Sequence, residues 1–197
     1  ILWSVWGNLA SALSNYGGNI LINLYFLPVF NASRVVSTQL SGVINSGINS
    51  MQLSLTPTIV RLYAKGEINK MLNVSYRASR IYLNLCALIV IPFYYYSENI
   101  MNLWLSNTTP EYSSQFFRLA LLILLVDSVS PPLMICAQAT GNIKKYQVII
   151  GGLLLFVIPV TWGLYSLGSE AKNIYVVIFI FSILCLISRL LLLRDMV

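Results

Sequence analysis

Apolar residues are concentrated in four long runs that predict membrane-spanning helices. The runs cover Ile81 to Tyr96, Phe116 to Gln138, Tyr146 to Leu167 and Ile174 to Leu193. Each is close to the about 20 residues with which a helix crosses the hydrocarbon core of a bilayer. Two earlier stretches, 6–30 and 35–60, are longer and more polar, and we count them as spans as well.

The pattern therefore predicts an all-α, polytopic membrane bundle of six transmembrane helices over residues 1–197. The predicted spans are about 6–30, 35–60, 80–97, 116–138, 146–167 and 174–193.

The second predicted span carries a continuous line of polar side chains. Since an α-helix turns about 100° per residue, six positions fall within about 40° of Asn45. These are Arg34, Thr38, Ser41, Asn49, Gln52 and Thr56. The line is about 33 Å long at 1.5 Å per residue, enough to traverse the hydrocarbon. Unpaired amides are costly in lipid, so this side of the helix is predicted to face elsewhere.

The first predicted span has a matching line that contains Asn8, Asn15 and Asn19. One interpretation is close packing of helices through small residues, which suits Gly42, Ser46 and Gly47 but not long amides. The other is a water-filled cavity between the two polar sides. We favour the cavity as the candidate substrate-binding site.

Composition supports a membrane protein and limits the chemistry. Hydrophobic residues make up 57% of the chain and charged residues 9%, against about 45–50% and about 25% in soluble domains. The chain has no His, and Cys86, Cys136 and Cys185 are scattered without metal-site spacing. We therefore expect buried, unpaired cysteines, no metal and no cofactor. The first residue is Ile1, not Met, and the start shows no signal-peptide pattern, so we expect no signal peptide and a piece of a longer polytopic chain.

The distribution of basic residues predicts the orientation. With six spans, one set of connections and ends holds nine basic residues: Arg61, Lys65, Lys70, Arg77, Arg80, Lys144, Lys145, Arg189 and Arg194. The other set holds only Arg34, Arg118 and Lys172. Cytoplasmic loops carry the excess of basic residues, so both ends are predicted to be cytoplasmic. The net charge of +6 then indicates attraction to anionic lipid headgroups, and no nucleic-acid partner is expected.

Asp127 is an acid inside the fourth predicted span, and it is the candidate ion-coupling residue. A carboxylate there costs about 2.5–3.5 kcal/mol on insertion scales. Two roles compete: ion coupling, or a structural acceptor neutralised by a neighbouring Arg or by the hydroxyls of Ser128 and Ser130. The adjacent Pro131 and Pro132 predict a kink or break in this span.

Arg34 is the candidate anion contact because it extends the polar line of the second span. A planar guanidinium binds phosphate through two parallel hydrogen bonds. We expect Arg61 to reach towards lipid headgroups, and Arg77, Arg80 and Arg189 to be interfacial.

Four stretches of the sequence form recognisable motifs: WGNLASALSNYGGNILINLYF (6–26), LWLSNTTPEYS (103–113), DSVSPPLM (127–134) and CAQATGNIKKYQ (136–147). They resemble O-antigen and polysaccharide flippases of the multidrug/oligosaccharidyl-lipid/polysaccharide exporter superfamily. The last is the most specific. Members of that family have two pseudo-symmetric lobes of six helices around a central cavity. The resemblance implies that this chain is the second lobe, that the first lobe is absent, and that the two polar helices line the cavity.

The resemblance further implies a non-enzymatic flippase in the bacterial inner membrane. Its substrate would be an undecaprenyl-pyrophosphate-linked oligosaccharide, moved by alternating access. Amides and hydroxyls would bind the sugars, arginine would bind the pyrophosphate, and the prenyl tail would stay among the membrane lipids. The alternatives are an organic-cation antiporter of the same superfamily, a membrane enzyme and a non-transport membrane subunit.

Overall fold

The structure, a computed structural model, describes residues 2–106, 108–141 and 143–196, without the side chains at positions 2, 4, 195 and 196. These residues form eight helices and no strand, which confirms the all-α prediction. The helices are α1 (Leu2–Tyr25), α2 (Pro28–Ala64), α3 (Ile68–Tyr95), α4 (Ser97–Trp104), α5 (Ser113–Asp127), α6 (Ser130–Ala139), α7 (Ile143–Ser166) and α8 (Asn173–Met196).

Three helices are long and apolar enough to cross a membrane by themselves. They are Ile68–Tyr95, Ile143–Ser166 and Asn173–Arg194. A fourth span results if α5 and α6, which meet at an angle of 41°, are counted together. This bend confirms the break predicted from Pro131 and Pro132. Helices α1 and α2 are not among the apolar spans, so the structure supports three or four of the six predicted spans.

The turn between α1 and α2 lies at Phe26 and Leu27, whereas the predicted spans placed it at 31–34. That prediction is wrong because Pro28 starts α2. Proline fits the first helical turn, where its missing N–H needs no partner. Leu27 has the extended angles φ −67° and ψ 155°, as expected for a residue before proline. Residues 31–34 are therefore helical, and Arg34 lies well inside α2.

Two other predicted boundaries also differ. The third span was expected to begin at position 80, but α3 begins at Ile68 because its added turns pack inward through Met71, Ser75 and Ala78. The short α4 follows directly after Tyr96 and had not been predicted. It buries Ser97 and Met101 against the bundle.

Helix α1 packs closely along α7, and glycines permit this approach. A Cβ atom on Gly151 would lie 2.9 Å from Trp6 Nε1, and one on Gly17 would lie 2.8 Å from Ile158 Cδ1. Small residues of this kind let membrane helices approach through their backbones. Helix α2 instead packs against α5, with further contacts to α3 and α6. The first two helices thus have different main partners, which leaves space between them.

Aromatic side chains fix the end of the bundle where α1 turns into α2. Phe26 meets Tyr165 edge to face with ring centroids 4.8 Å apart, and Phe30 stacks on Tyr112 at 4.3 Å. Tyr165 also donates a hydrogen bond to the carbonyl oxygen of Ala171 at 2.9 Å. These contacts join the α1–α2 turn to the start of α5 and to the loop between α7 and α8.

Gly151→Leu is expected to destabilise the bundle because the new side chain would meet Trp6 at the α1–α7 contact. Overpacking a close contact costs about 1–3 kcal/mol. Gly152→Leu is the matched control, since nothing lies within 4 Å of a Cβ at that position. Thermal unfolding of the two variants in detergent measures the difference, and equal midpoints would contradict this account of the contact.

Candidate functional site

A polar hollow opens inside the bundle between α1, α2, α8 and the break between α5 and α6. Its larger part has a volume of about 390 Å³, and its smaller part about 240 Å³. Both parts are lined by Asn15, Asp127 and Ile178, so they adjoin. We call the two parts together the polar hollow.

The structure brings most of the predicted cavity residues to this hollow. Seven of the nine line it: Asn15, Arg34, Thr38, Ser41, Asn45, Asn49 and Gln52. Asp127 lines both parts. The polar lines of α1 and α2 therefore border a common space, and the role of these residues in binding a substrate stays a prediction.

Asn8 and Asn19 do not line the hollow, contrary to the prediction from helical periodicity. Asn8 is exposed on α1, about 10 Å along the helix from Asn15 at 1.5 Å per residue. Asn19 is half-buried, and its Oδ1 accepts a hydrogen bond of 2.7 Å from Arg34 Nε. Asn19 thus holds the guanidinium and does not itself face the space.

The side-chain amides that α2 presents to the hollow make no hydrogen bonds with other described residues. Among the described residues, the side chains of Asn45, Asn49 and Gln52 have no hydrogen-bond partner within the protein, although each amide offers two donors and an acceptor. The hydroxyls of Thr38 and Ser41 donate to carbonyl oxygens of their own helix. Their oxygens still have lone pairs that can accept hydrogen bonds.

Arg34 is 3% exposed and occupies a slot between three helices. Asn19 of α1 binds its Nε, and its guanidinium carbon lies 5.5 Å from the centre of the Tyr175 ring on α8. The slot exists because residue 18 is glycine: a Cβ there would lie 2.8 Å from Arg34 Nη2. Arg34 Nη1 is buried and has no hydrogen-bond partner among the described residues. One nitrogen of this cation is therefore unsatisfied, in a residue that lines the smaller part of the hollow.

Asp127 ends α5 at the break and is exposed towards the hollow. No Lys or Arg nitrogen among the described residues lies within 4 Å of its carboxylate. Ser128 does not support it, because its hydroxyl donates to the carbonyl oxygen of Leu125 at 2.7 Å. The nearby polar groups come from α8, namely Ser182 and the cation Arg189. A tight structural ion pair is thus absent at this acid.

Arg189 had been predicted to be interfacial, and this prediction is wrong. Its Nε donates to Tyr146 Oη at 3.1 Å, its Nη1 donates to Ser130 Oγ at 2.5 Å, and the residue lines the hollow. The sequence contained a signal for this position. Ser182, Cys185 and Arg189 are spaced at three and four residues, which places them on one side of α8. The prediction missed this spacing because the three residues lie within a run of leucines and isoleucines.

Arg118, the other basic residue near Asp127 in the chain, is directed away from it. Arg118 donates to Ser97 Oγ at 2.6 Å and pairs with Glu98 at 3.1 Å, at the opposite end of α5. Arg118 and Asp127 therefore do not pair.

The two arginines of the hollow are separated along α8. Arg34 of α2 lies over the ring of Tyr175 on α8. Arg189 is fourteen positions after Tyr175 on α8, about 21 Å along the helix axis. Asp127 and Ser182 lie between these levels. The lining therefore contains two guanidinium groups against one carboxylate, with neutral amides and hydroxyls around them. Such a surface suits an elongated ligand that has hydroxyl groups and carries negative charge.

Within the described part of the chain, no three His, Cys, Asp or Glu residues are grouped so that they could hold a metal ion. The three cysteines are buried and free, as predicted.

Comparison with protein-family models, with curated proteins and with solved structures found no match.

Single cysteines at positions 45 and 49 are expected to react with a membrane-impermeant thiol reagent in a background without Cys86, Cys136 and Cys185. Ile48→Cys on the same helix is the buried control, since Ile48 is 7% exposed. Leu88→Cys is the lipid control, since Leu88 is 72% exposed on an apolar span where thiolate formation is suppressed. Labelling rates at 45 and 49 that do not exceed those of both controls would contradict an aqueous hollow.

Proposed function

We propose that this chain forms one six-helix lobe of a flippase that moves lipid-linked oligosaccharides across the bacterial inner membrane. The substrate would be an undecaprenyl-pyrophosphate-linked repeat unit, transported by alternating access without covalent chemistry. The observation that carries the proposal is the combination of unused amides on α2 with a buried, incompletely paired arginine beside them.

The six-span arrangement requires α1 and α2 to cross the membrane with the four apolar spans. Their lengths of 24 and 37 residues correspond to about 36 Å and about 55 Å, and both exceed the about 30 Å of the hydrocarbon core. Their polar sides border the hollow, so lipid need not solvate those amides. In this arrangement α5 and α6 form one broken span, and both ends of the chain are cytoplasmic.

The amides support a carbohydrate as the ligand. A sugar hydroxyl both donates and accepts hydrogen bonds, and Asn45, Asn49 and Gln52 offer both kinds of partner along one side of α2. Their spacing of four and three residues repeats at about 5 Å along the helix. This separation is comparable to that of neighbouring sugar units, so several units can be bound without recognition of one sugar sequence.

Arg34 supports the assignment of the negatively charged part of the substrate. Its guanidinium is fixed by Asn19 and Tyr175 but retains an unsatisfied Nη1. A pyrophosphate oxygen would complete the hydrogen bonds of that nitrogen with a charge-assisted contact. Arg189 lies too far along α8 to contact the same pyrophosphate at the same time as Arg34.

The rest of the substrate and the rest of the transporter lie outside this lobe. The prenyl tail would remain among the membrane lipids at a gap between lobes. A first lobe of the same protein would close the open side of the hollow. We therefore expect transport only from the complete two-lobe protein.

An organic-cation antiporter is the nearest alternative, and the carboxylate of Asp127 would be its cation-binding group. The charges of the hollow argue against it, since Arg34 and Arg189 outnumber that single acid. Resistance to cationic drugs, measured beside complementation of a flippase deletion, separates the two functions. An enzyme is disfavoured because the hollow contains no His and its one cysteine, Cys185, is buried.

Arg34→Gln in the full-length protein is expected to lower the rate of oligosaccharide translocation in proteoliposomes about tenfold to hundredfold. This range follows from the about 1.5–3 kcal/mol of a hydrogen bond to a charged group. Arg61→Gln is the matched control, because Arg61 is exposed near the other end of the same helix. If Arg34→Gln folds poorly, Asn45→Ala with Asn49→Ala tests the same surface. Wild-type rates in both variants would overturn the proposal.

Asp127→Asn is expected to reduce transport and to weaken its dependence on an imposed ion gradient, because the variant loses the unpaired charge beside the hollow. Initial rates with and without the gradient measure this. A variant that is slower but keeps the wild-type ratio of the two rates would assign a structural role to Asp127.

A further inference from the structure

A second polar recess lies on the outer side of α3, away from the polar hollow. It has a volume of about 340 Å³ and is bordered by Asn73, Tyr76, Arg77, Ser79, Arg80 and Leu83 of α3 together with Val129. We call it the α3 groove. The proposed function leaves it without a role.

The α3 groove is positively charged. Arg77 and Arg80 are exposed, and no described carboxylate lies within 4 Å of either guanidinium. Glu67 of the same region pairs with Lys70 at 3.0 Å instead. Both arginines belong to a helix that is long and apolar enough to span the membrane. Two unneutralised cations at such a position favour an anionic partner.

The surface around Arg77 and Arg80 is polar in one direction along α3 and apolar in the other. Asn73 and Tyr76 offer polar groups on the side towards the start of α3. In the opposite direction α3 exposes an apolar surface, with Leu88 72% and Ile91 56% exposed. Leu88 lies about 12 Å beyond Arg80 along the helix. A ligand that fits both ends has an anionic head and a hydrocarbon tail.

We propose that the α3 groove binds the phosphate headgroup of an anionic membrane phospholipid, with its acyl chains along the exposed apolar surface of α3. The two guanidinium groups bind the phosphate, and Asn73 and Tyr76 bind the polar part of the headgroup. A soluble phosphate compound carries the same charge but cannot use the apolar surface, so the lipid is the tighter ligand.

The groove also touches the break between α5 and α6. Ser79 Oγ donates a hydrogen bond of 3.0 Å to the carbonyl oxygen of Val129, which lies between those two helices. Asp127 and Ser130, on either side of Val129, border the polar hollow. The lipid headgroup therefore lies against the back of the segment that shapes the hollow.

The test is lipid binding by the purified full chain, measured by native mass spectrometry after titration with phosphatidylglycerol. Arg77→Gln with Arg80→Gln is expected to weaken binding about thirtyfold, because each cation near a lipid surface contributes about fivefold. The matched control is Lys145→Gln with Arg194→Gln, which removes the same charge from two other exposed sites. Its affinity should stay close to that of the wild type.

Phosphatidylcholine with the same acyl chains and glycerol 3-phosphate without them are the two comparison ligands, and both should bind more weakly than phosphatidylglycerol. Equal losses in the two double variants, or equal binding of phosphatidylcholine, would overturn the site. Glycerol 3-phosphate that binds as tightly as the lipid would overturn the lipid assignment. If the double variant fails to fold, the single variants Arg77→Gln and Arg80→Gln each carry a fivefold expectation.

Discussion

The buried guanidinium of Arg34 is the interaction on which the polar side of this bundle depends. A charge removed from water is tolerated only if neighbouring groups compensate it, and an incompletely paired one is costly. Asn19 of α1 and Tyr175 of α8 supply part of that compensation, and Gly18 leaves the space for it. The position of one side chain thus fixes how α1, α2 and α8 approach one another at this end.

The rest of the hollow follows from how the helices divide their packing partners. Small residues bring α1 against α7, while α2 packs on α5 through Ile48 and other apolar side chains. The long amides of α2 would hold a neighbouring backbone away, so they border space instead of a helix. A binding site needs such unsatisfied groups because a ligand must gain hydrogen bonds that the empty protein lacks.

Helical periodicity was sufficient to predict the line from Arg34 to Gln52 on α2, because a long helix preserves its phase over many turns. It failed for Asn19, because the side chain of Asn19 accepts a hydrogen bond from Arg34 and does not line the hollow. It also failed for Arg189, which resembles an interfacial residue until α7 and the α5–α6 break bring Tyr146 and Ser130 beside it. Contacts between distant parts of the chain decide such cases, and no local pattern encodes them.

The boundaries of the helices show the same limit. Pro28 determined the α1–α2 turn through local stereochemistry, yet the predicted first span continued past it to position 30. Pro131 and Pro132 were interpreted correctly as a break. Proline therefore predicted the course of the backbone better than hydropathy did, because its effect on φ and on hydrogen bonding is independent of the surrounding solvent.

The break between α5 and α6 connects the two sites. Its inner side presents Asp127 and Ser130 to the hollow, and its outer side presents Val129 to the α3 groove. A ligand shifts a conformational equilibrium only as far as it binds one state better than the other. If the angle of the break changes during transport, a headgroup held by Arg77 and Arg80 favours the angle at which Ser79 stays bonded to Val129. By reciprocity, a substrate in the hollow then changes the affinity of the groove for lipid by the same factor.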